Sequence, residues 1–168
     1  LCFLRYHDPA PHAKQRRWNM SRLTCPDVDV DLRKCCEFEY ILIGDLRDLL
    51  ESEPSDENCR WMSAVLDALL DTLPKEFALK SQDGYLSHVL DEYPNWDSAV
   101  ERLRLQHVAL HRRLTELRTR IVAHTQWRGL ASRLRPELEA WIGAFSVLQQ
   151  AERDLTVSAL TLEVGAGD

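Results

Sequence analysis

Apolar residues recur every three or four positions along most of the chain after Pro26, which is the spacing of amphipathic helices. Two stripes run Phe38, Ile41, Leu42, Leu46, Leu49, Leu50 and Met62, Val65, Leu69, Leu73. Two more run Val100, Leu103, His107, Leu110, Leu114, Leu117, Ile121 and Leu138, Trp141, Phe145, Leu148, Glu152, Leu155, Ala159. Alternating polarity with hairpin turn residues is missing, so no sheet is predicted. Four long stripes joined by short links predict an all-α, antiparallel up-down four-helix bundle.

Prolines and glycines suggest where these helices begin and end. The first predicted helix ends before Pro54, and Ser55 is the predicted N-cap of the second. Pro74 is expected to kink or restart the second helix because it lacks the backbone N–H. Gly129 is expected to break the chain before the fourth helix, whose first turn would contain Pro136.

The start of the chain has a different character. Residues 1–19 contain two prolines, carry more basic than acidic side chains and show no helical or strand period. The sequence therefore predicts an irregular N-terminal arm over residues 1–30 and one four-helix bundle domain over residues 31–168. The chain opens with Leu, and Met20 precedes a plausible starting point, so residues 1–19 are also compatible with a segment outside the natural protein.

Composition narrows the class of protein. Apolar residues make up 45% and charged residues 29% of the chain, which is typical of a folded globular domain. No apolar run approaches the ~20 residues of a membrane span, and no secretory signal core is present. A cytoplasmic protein with no membrane partner is expected. The net charge of -6 disfavours a nucleic-acid partner, because binding phosphates requires a surplus of Lys and Arg.

The five cysteines all lie within the first 59 residues and form no C-x-x-C pair. This spacing fits neither a disulfide framework nor a zinc ribbon. Cys35 and Cys36 are adjacent and are expected to be reduced thiols near a helix start.

Polar side chains interrupt the apolar stripes on the side that faces the core. They are His107 and His111 on the third helix, Glu152 on the fourth, Glu76 and Lys80 on the extended second, and Asp45 on the first. Burying such groups is unfavourable unless they are paired or bind a ligand. Side chains from several helices of a bundle can surround a metal ion. The alternatives are a hydrogen-bonded core histidine at His107, a half-exposed residue beside the stripe at His111, and a buried ion pair of Lys80 with a carboxylate. The segment between the two histidines has Val108 where a zincin has Glu, and no catalytic motif is present, so no enzyme is predicted.

At these residues the chain resembles the bacterial hemerythrin-like, or HHE cation-binding, family over roughly residues 38–168. The segment from Glu76 to Lys80, leading into the Asp-Gly-Tyr-Leu sequence of residues 83–86, resembles the second-helix motif of the family. In that motif a His and a Glu ligand stand four residues apart before a Gly-Tyr-Leu turn. Here Glu76 stands at the His position and Lys80 at the Glu position.

The third and fourth predicted helices carry the rest of the resemblance. His107 and His111 match the third-helix motif, His-x-x-x-His or a single His. The fourth-helix motif is His-x-x-x-Glu, and this chain has Leu148 at the His position and keeps Glu152. The tail of residues 163–168 is similar to endings seen in some members.

The resemblance implies a four-helix bundle with a di-iron site that binds oxygen or senses redox state through imidazoles and bridging carboxylates. This chain departs from that pattern: the first helix offers Asp45 and no His, the second has lost both ligands, and the fourth has lost its His. A degenerate site is therefore expected. A network of Lys80, carboxylates and a histidine is expected in place of the metal.

Three functions stay open at this stage. The leading one is a non-catalytic binding or sensing module without a cofactor. The alternative is a protein that senses oxygen or metal with one divalent cation, iron or zinc, held by His107, His111 and Glu152 with Glu76 or Asp45. The third is a structural role, in which three tryptophans, Trp96, Trp127 and Trp141, serve core packing or contacts in a homodimer or with an unknown protein partner.

Overall fold

The computed structural model describes residues 26–82, 85–92, 94–123 and 127–165. In chain order the elements are α1 (Pro26–Glu51), α2 (Asp56–Gln82), α3 (Tyr85–Glu92), a 3-10 turn (Pro94–Trp96), α4 (Asp97–Ala123) and α5 (Trp127–Gly165). No strand occurs within the described ranges. The four long helices form a four-helix bundle, which confirms the predicted fold class.

The boundary between the first two helices follows the sequence signals closely. Helix α1 ends at Glu51, before Pro54, and α2 begins at Asp56. The Oγ of Ser55 accepts a hydrogen bond from the backbone N–H of Asn58 at 3.0 Å, so Ser55 is the N-cap as predicted. Helix α1 begins at Pro26, inside the range assigned to the arm, and residues 1–25 lie outside the described residues.

Pro74 lies inside α2, which continues without interruption. Of the two predicted outcomes, a restart of the helix is wrong, and a kink stays a prediction. A proline at this position leaves the carbonyl of Leu70 without its usual N–H partner. The Nε2 of His111, on α4, donates a hydrogen bond to this carbonyl at 3.2 Å. A side chain from the neighbouring helix thus replaces the missing backbone donor.

Helix α5 begins at Trp127, well before Pro136, and Gly129 lies within it. The predicted break at the glycine and the first-turn position of the proline are both wrong. Ala131 and Leu134 are buried and continue the apolar stripe upstream. Packing of this stripe outweighs the local preferences of glycine and proline.

The apolar core consists of two clusters. The larger cluster joins α1, α2, α4 and α5, and the smaller one contains Leu86, Val100, Leu103, Leu148 and Leu155. Trp141 is buried, stacks on Phe145 with ring centroids 5.4 Å apart, and donates its indole N–H to the carbonyl of Leu110 at 2.9 Å. Trp96 is half-buried against the smaller cluster, and the side chain of Trp127 lies outside the described residues.

The inward face of α1 differs from the predicted one. Phe38 is 47% and Ile41 55% exposed, whereas Leu42, Ile43, Leu46 and Leu50 are buried. Helix α1 packs mainly against α2, α2 against α4, and α4 against α5, while the seam between α1 and α5 is less closely packed. No described helix has the length and apolar content needed to cross a bilayer.

Candidate functional site

Lys80 lies at the centre of a buried polar network. Its Nζ is 2.6 Å from Oε1 of Glu76, one turn earlier on α2, and 2.7 Å from Oε2 of Glu152 on α5. The exposed fractions are 6% for Lys80, 2% for Glu76 and 3% for Glu152. An ammonium group therefore joins two carboxylates from different helices inside the bundle.

His107 extends the network onto α4. Its Nε2 is 2.5 Å from Oε1 of Glu152, and its ring packs against Phe77 with centroids 4.2 Å apart. The carboxylate can only accept, so Nε2 carries the proton and donates. The placement of both residues in the core agrees with their positions on the predicted stripes.

Glu39 on α1 belongs to the same polar network and was not predicted from the sequence. It is 2% exposed, and its Oε1 accepts a hydrogen bond from Nε2 of Gln149 at 2.5 Å. Asp45, which was predicted to point inward, is exposed. Glu39 lies three, four and seven residues before the buried Leu42, Ile43 and Leu46, and that spacing was the available signal.

A shared proton joins Glu39 to Glu76. Burial, together with the hydrogen bond to Glu76 and its negative charge, raises the pKa of Glu39 to about 9. A hydrogen bond between two carboxyl groups requires one proton, so Glu39 is the neutral partner at pH 7. Oε2 of each residue is buried and receives no hydrogen bond from another group in the part of the chain that the structure describes.

The other two carboxylates stay ionised. Burial acts to raise the pKa of Glu76, but the hydrogen bond from Glu39 and the charge and hydrogen bond of Lys80 lower it below its ordinary value. Burial likewise opposes ionisation of Glu152, and the hydrogen bond from His107 and the charge of Lys80 lower its pKa. The centre thus contains two carboxylates, one ammonium, one carboxylic acid and one imidazole.

Cys36 contacts the edge of this centre. Its thiol donates to Oε1 of Glu76 at 3.3 Å. Burial and the negative charge of Glu76 raise the pKa of Cys36 to about 12, so the thiol stays protonated and unreactive at neutral pH. Cys35 is also a free cysteine.

The structure brings together four of the six predicted site residues: Glu76, Lys80, His107 and Glu152. It does not bring His111 to them, because its ring is directed to the carbonyl of Leu70. Asp45 is also excluded by its exposure. Within the described ranges, no group of three or more His, Cys, Asp or Glu side chains has the geometry to hold a metal ion. The donors present do not fit the two irons that the resemblance implies.

A groove of about 650 Å³ leads to this centre along the seam between α1 and α5. Glu39, Glu76, Lys80 and Glu152 lie along it together with apolar side chains of α1 and α5. The polar centre is therefore buried in the bundle but lines a cavity large enough for a small molecule.

Comparison with known proteins identifies no relative: no protein-family model, curated protein or solved structure matches this chain. The resemblance to hemerythrin-like proteins thus depends on sequence motifs alone and stays a prediction.

Proposed function

We infer that this chain is a hemerythrin-like bundle whose metal centre has been replaced by the network of Lys80, Glu76, Glu152 and His107, and that it acts as a non-catalytic binding or sensing module. The observation that carries this inference is the position of the Lys80 ammonium, within 2.7 Å of carboxylate oxygens from two helices.

Charge explains why the ammonium excludes a metal. A divalent ion bound by Glu76 and Glu152 would lie beside the positive charge of Lys80 and would compete with it for the same oxygens. Lysine at a ligand position also removes a carboxylate that would neutralise the ion. The lysine already supplies the positive charge that the buried carboxylates require.

The arrangement also favours binding over catalysis. The carboxylates of Glu76 and Glu152 are held by hydrogen bonds that lower their pKa values, so neither is suited to exchange protons near pH 7. The thiol of Cys36 has a raised pKa and is a poor nucleophile. What the centre offers is a fixed polar surface along a groove.

The single-cation alternative retains one supporting observation, the contact between His107 and Glu152. Both residues are candidate ligands, and a cation could replace the proton between them. This alternative lacks a third ligand at the same place, since His111 bonds to Leu70 instead.

Metal content decides between the two functions. The protein is produced in iron-rich and in zinc-rich medium, and bound metal is measured by mass spectrometry together with the visible absorption spectrum. We expect substoichiometric metal and no ligand-to-metal absorption. Stoichiometric iron or zinc that is lost in His107→Ala, but kept in the exposed control Lys75→Met, would overturn the proposal.

A further inference from the structure

The groove between α1 and α5 combines apolar walls with a carboxyl pair at its floor. The buried Ile43 on α1 and Phe145 on α5 and the largely exposed ring of Tyr40 on α1 line the walls, and Glu39 and Glu76 lie at the floor. Both carboxyl side chains are 2% exposed. The cavity volume of about 650 Å³ lies in the range of sites that bind small molecules.

The hydrogen bonds at the floor leave one oxygen of each of the two carboxyl groups without a donor from other described residues. Oε1 of Glu39 is taken by Gln149, and Oε1 of Glu76 by Lys80 and Cys36. Oε2 of Glu39 and Oε2 of Glu76 receive no donor from other described residues, and a single proton is shared between the two carboxyl groups. A ligand that completes this floor must bring hydrogen-bond donors.

A positive charge on the ligand is favoured over a negative one. A cation would allow Glu39 to ionise, because it supplies the neutralising charge that the shared proton supplies in its absence. An anion would face the ionised Glu76 and Glu152, although Arg47 and Arg153 also line the groove. A metal ion would need more ligands than this carboxyl pair supplies, and the described residues contain no group of three or more His, Cys, Asp or Glu side chains that could hold one. An organic ammonium needs only hydrogen-bond acceptors, and it can place its N–H groups on Oε2 of Glu39 and Oε2 of Glu76.

We propose that the groove binds a small primary amine with an apolar body, with its ammonium on the Glu39 and Glu76 carboxyl pair and its apolar part against Tyr40, Ile43 and Phe145. This inference rests on the proposed binding role and names the ligand class of the same site. Binding displaces the proton shared by the two carboxyl groups, and that proton leaves to solvent as the ammonium takes its place.

Proton release makes the binding depend on pH. The titratable and charged groups that face this floor are Cys36, Glu39 and Arg47 on α1, Glu76 and Lys80 on α2, His107 on α4, and Glu152 and Arg153 on α5. Of these, Glu39 is the carboxyl that is neutral at pH 7, with a pKa raised to about 9 by burial and by Glu76. Amine affinity is therefore expected to rise with pH below this value, by up to about tenfold per pH unit.

Isothermal titration calorimetry tests the proposal with three probes of one shape: 2-phenylethylamine, 2-phenylethanol and phenylacetate. Titrations in two buffers of different ionisation enthalpy count the protons released. We expect only the amine to bind, at one site, with release of about one proton per amine near pH 7. Absence of amine binding, equal binding of the alcohol, or preference for phenylacetate would overturn the proposal.

Glu39→Gln and the exposed Glu37→Gln provide matched variants two residues apart on α1. Glu39→Gln should weaken amine binding by at least about tenfold and abolish proton release, because one charge-assisted hydrogen bond is lost. Glu37→Gln should bind like the wild type. If Glu39→Gln does not fold, the proton count of the wild-type protein decides alone, and amine binding without proton release contradicts the proposal.

The outcome is separable from that of the proposed function. If the protein contains no metal and does not bind the amine, the proposed function stands and the proposed ligand class is wrong. If the protein contains stoichiometric metal, the proposed function is wrong, whether or not the amine binds.

Discussion

Helix α2 carries two lysine–carboxylate pairs of the same spacing and the same length in very different surroundings. Lys75 lies 2.6 Å from Asp71 and Lys80 lies 2.6 Å from Glu76, each four residues along the helix. The first pair is exposed, with side chains 62% and 72% accessible, whereas the second is 8% and 2% accessible. Geometry alone therefore cannot tell the two pairs apart.

The difference shows that burial decides what such a pair does to stability. An exposed pair gains about 0 to 1 kcal/mol, because water screens the charges and the side chains lose entropy. A buried pair gains little in net terms, since desolvation offsets the attraction, but removing one partner leaves an unpaired buried charge. Only the Lys80 pair should therefore be intolerant of single substitutions.

The largest expected effect comes from Lys80→Met. Loss of the ammonium leaves Glu76 and Glu152 buried without their cation, and the free energy of unfolding should fall by about 3 to 5 kcal/mol. Urea unfolding followed by circular dichroism measures this change. The matched control Lys75→Met should change stability by no more than about 0.5 kcal/mol. Equal losses in the two variants would refute the comparison.

A second test uses pH to separate the effect of Glu39, which carries the shared proton, from the effects of the ionised Glu76 and Glu152. The raised pKa of Glu39 means that the folded state holds a proton that the unfolded state loses above about pH 4.3. Its contribution to stability is complete below that value and is lost as pH rises towards about 9. The lowered pKa values of Glu76 and Glu152 act oppositely: their contribution is present above the unfolded value and is lost as pH falls.

Glu39→Gln should isolate the first of these effects. The amide resembles the protonated acid and does not titrate. The free energy of unfolding of the variant, relative to that of the wild type, should therefore rise by roughly 2 kcal/mol from about pH 6 to about pH 8. Unfolding free energies at matched pH values give the difference. A difference that does not change with pH would show that Glu39 is ionised in the fold.

A smaller effect is expected at His111, which supplies the hydrogen bond that the backbone lacks opposite Pro74. His111→Ala removes the donor to the Leu70 carbonyl and should cost about 1 kcal/mol. In a Pro74→Ala background the new backbone N–H can bond to that carbonyl, so the same substitution should cost less. A double-mutant cycle measures the coupling. Identical costs in both backgrounds would argue against this role for His111.

The smallest effect is expected at an exposed charge cluster. Glu137 pairs with Arg113 and Arg120 at the bundle surface and is 27% accessible. Glu137→Gln should lower stability by less than about 1 kcal/mol, and about 1 M salt should remove the difference by screening. If the loss of stability persists in high salt, Glu137 does not act through a screened surface charge interaction, and the prediction is wrong.

Much of the fold follows from the spacing of apolar residues. The stripe of α4 includes Val100, Leu103, Leu114 and Ile121, all of which are buried as predicted. The end of α1 and the start of α2 could be predicted because Ser55 has the chemistry of an N-cap. The start of α5 could not be predicted, because Gly129 and Pro136 locally disfavour a helix. The tertiary packing that outweighs this preference cannot be inferred from neighbouring residues in the sequence.

The candidate site was predictable only where one helix face is unambiguous. His107 and Glu152 interrupt single stripes, so their inward position could be read directly. Helix α1 has apolar residues on two faces, including the exposed Phe38, so its buried face could not be identified from the sequence. For this reason Asp45 was predicted to face the core and Glu39 was not. The role of His111 depends on a neighbour in space, the carbonyl freed by Pro74, which no spacing along one helix reveals.

The loose seam beside α1 has a consequence for how the molecule opens. Helix α1 packs chiefly on α2 and is tied to α5 through the Glu39 to Gln149 hydrogen bond, whereas α2, α4 and α5 pack on one another in sequence. Amide hydrogens of α1 should therefore exchange through partial opening events, ahead of those in α4. Each such event would admit water to Glu39 and Glu76, so the rate at which their shared proton exchanges with solvent should follow the rate at which α1 opens.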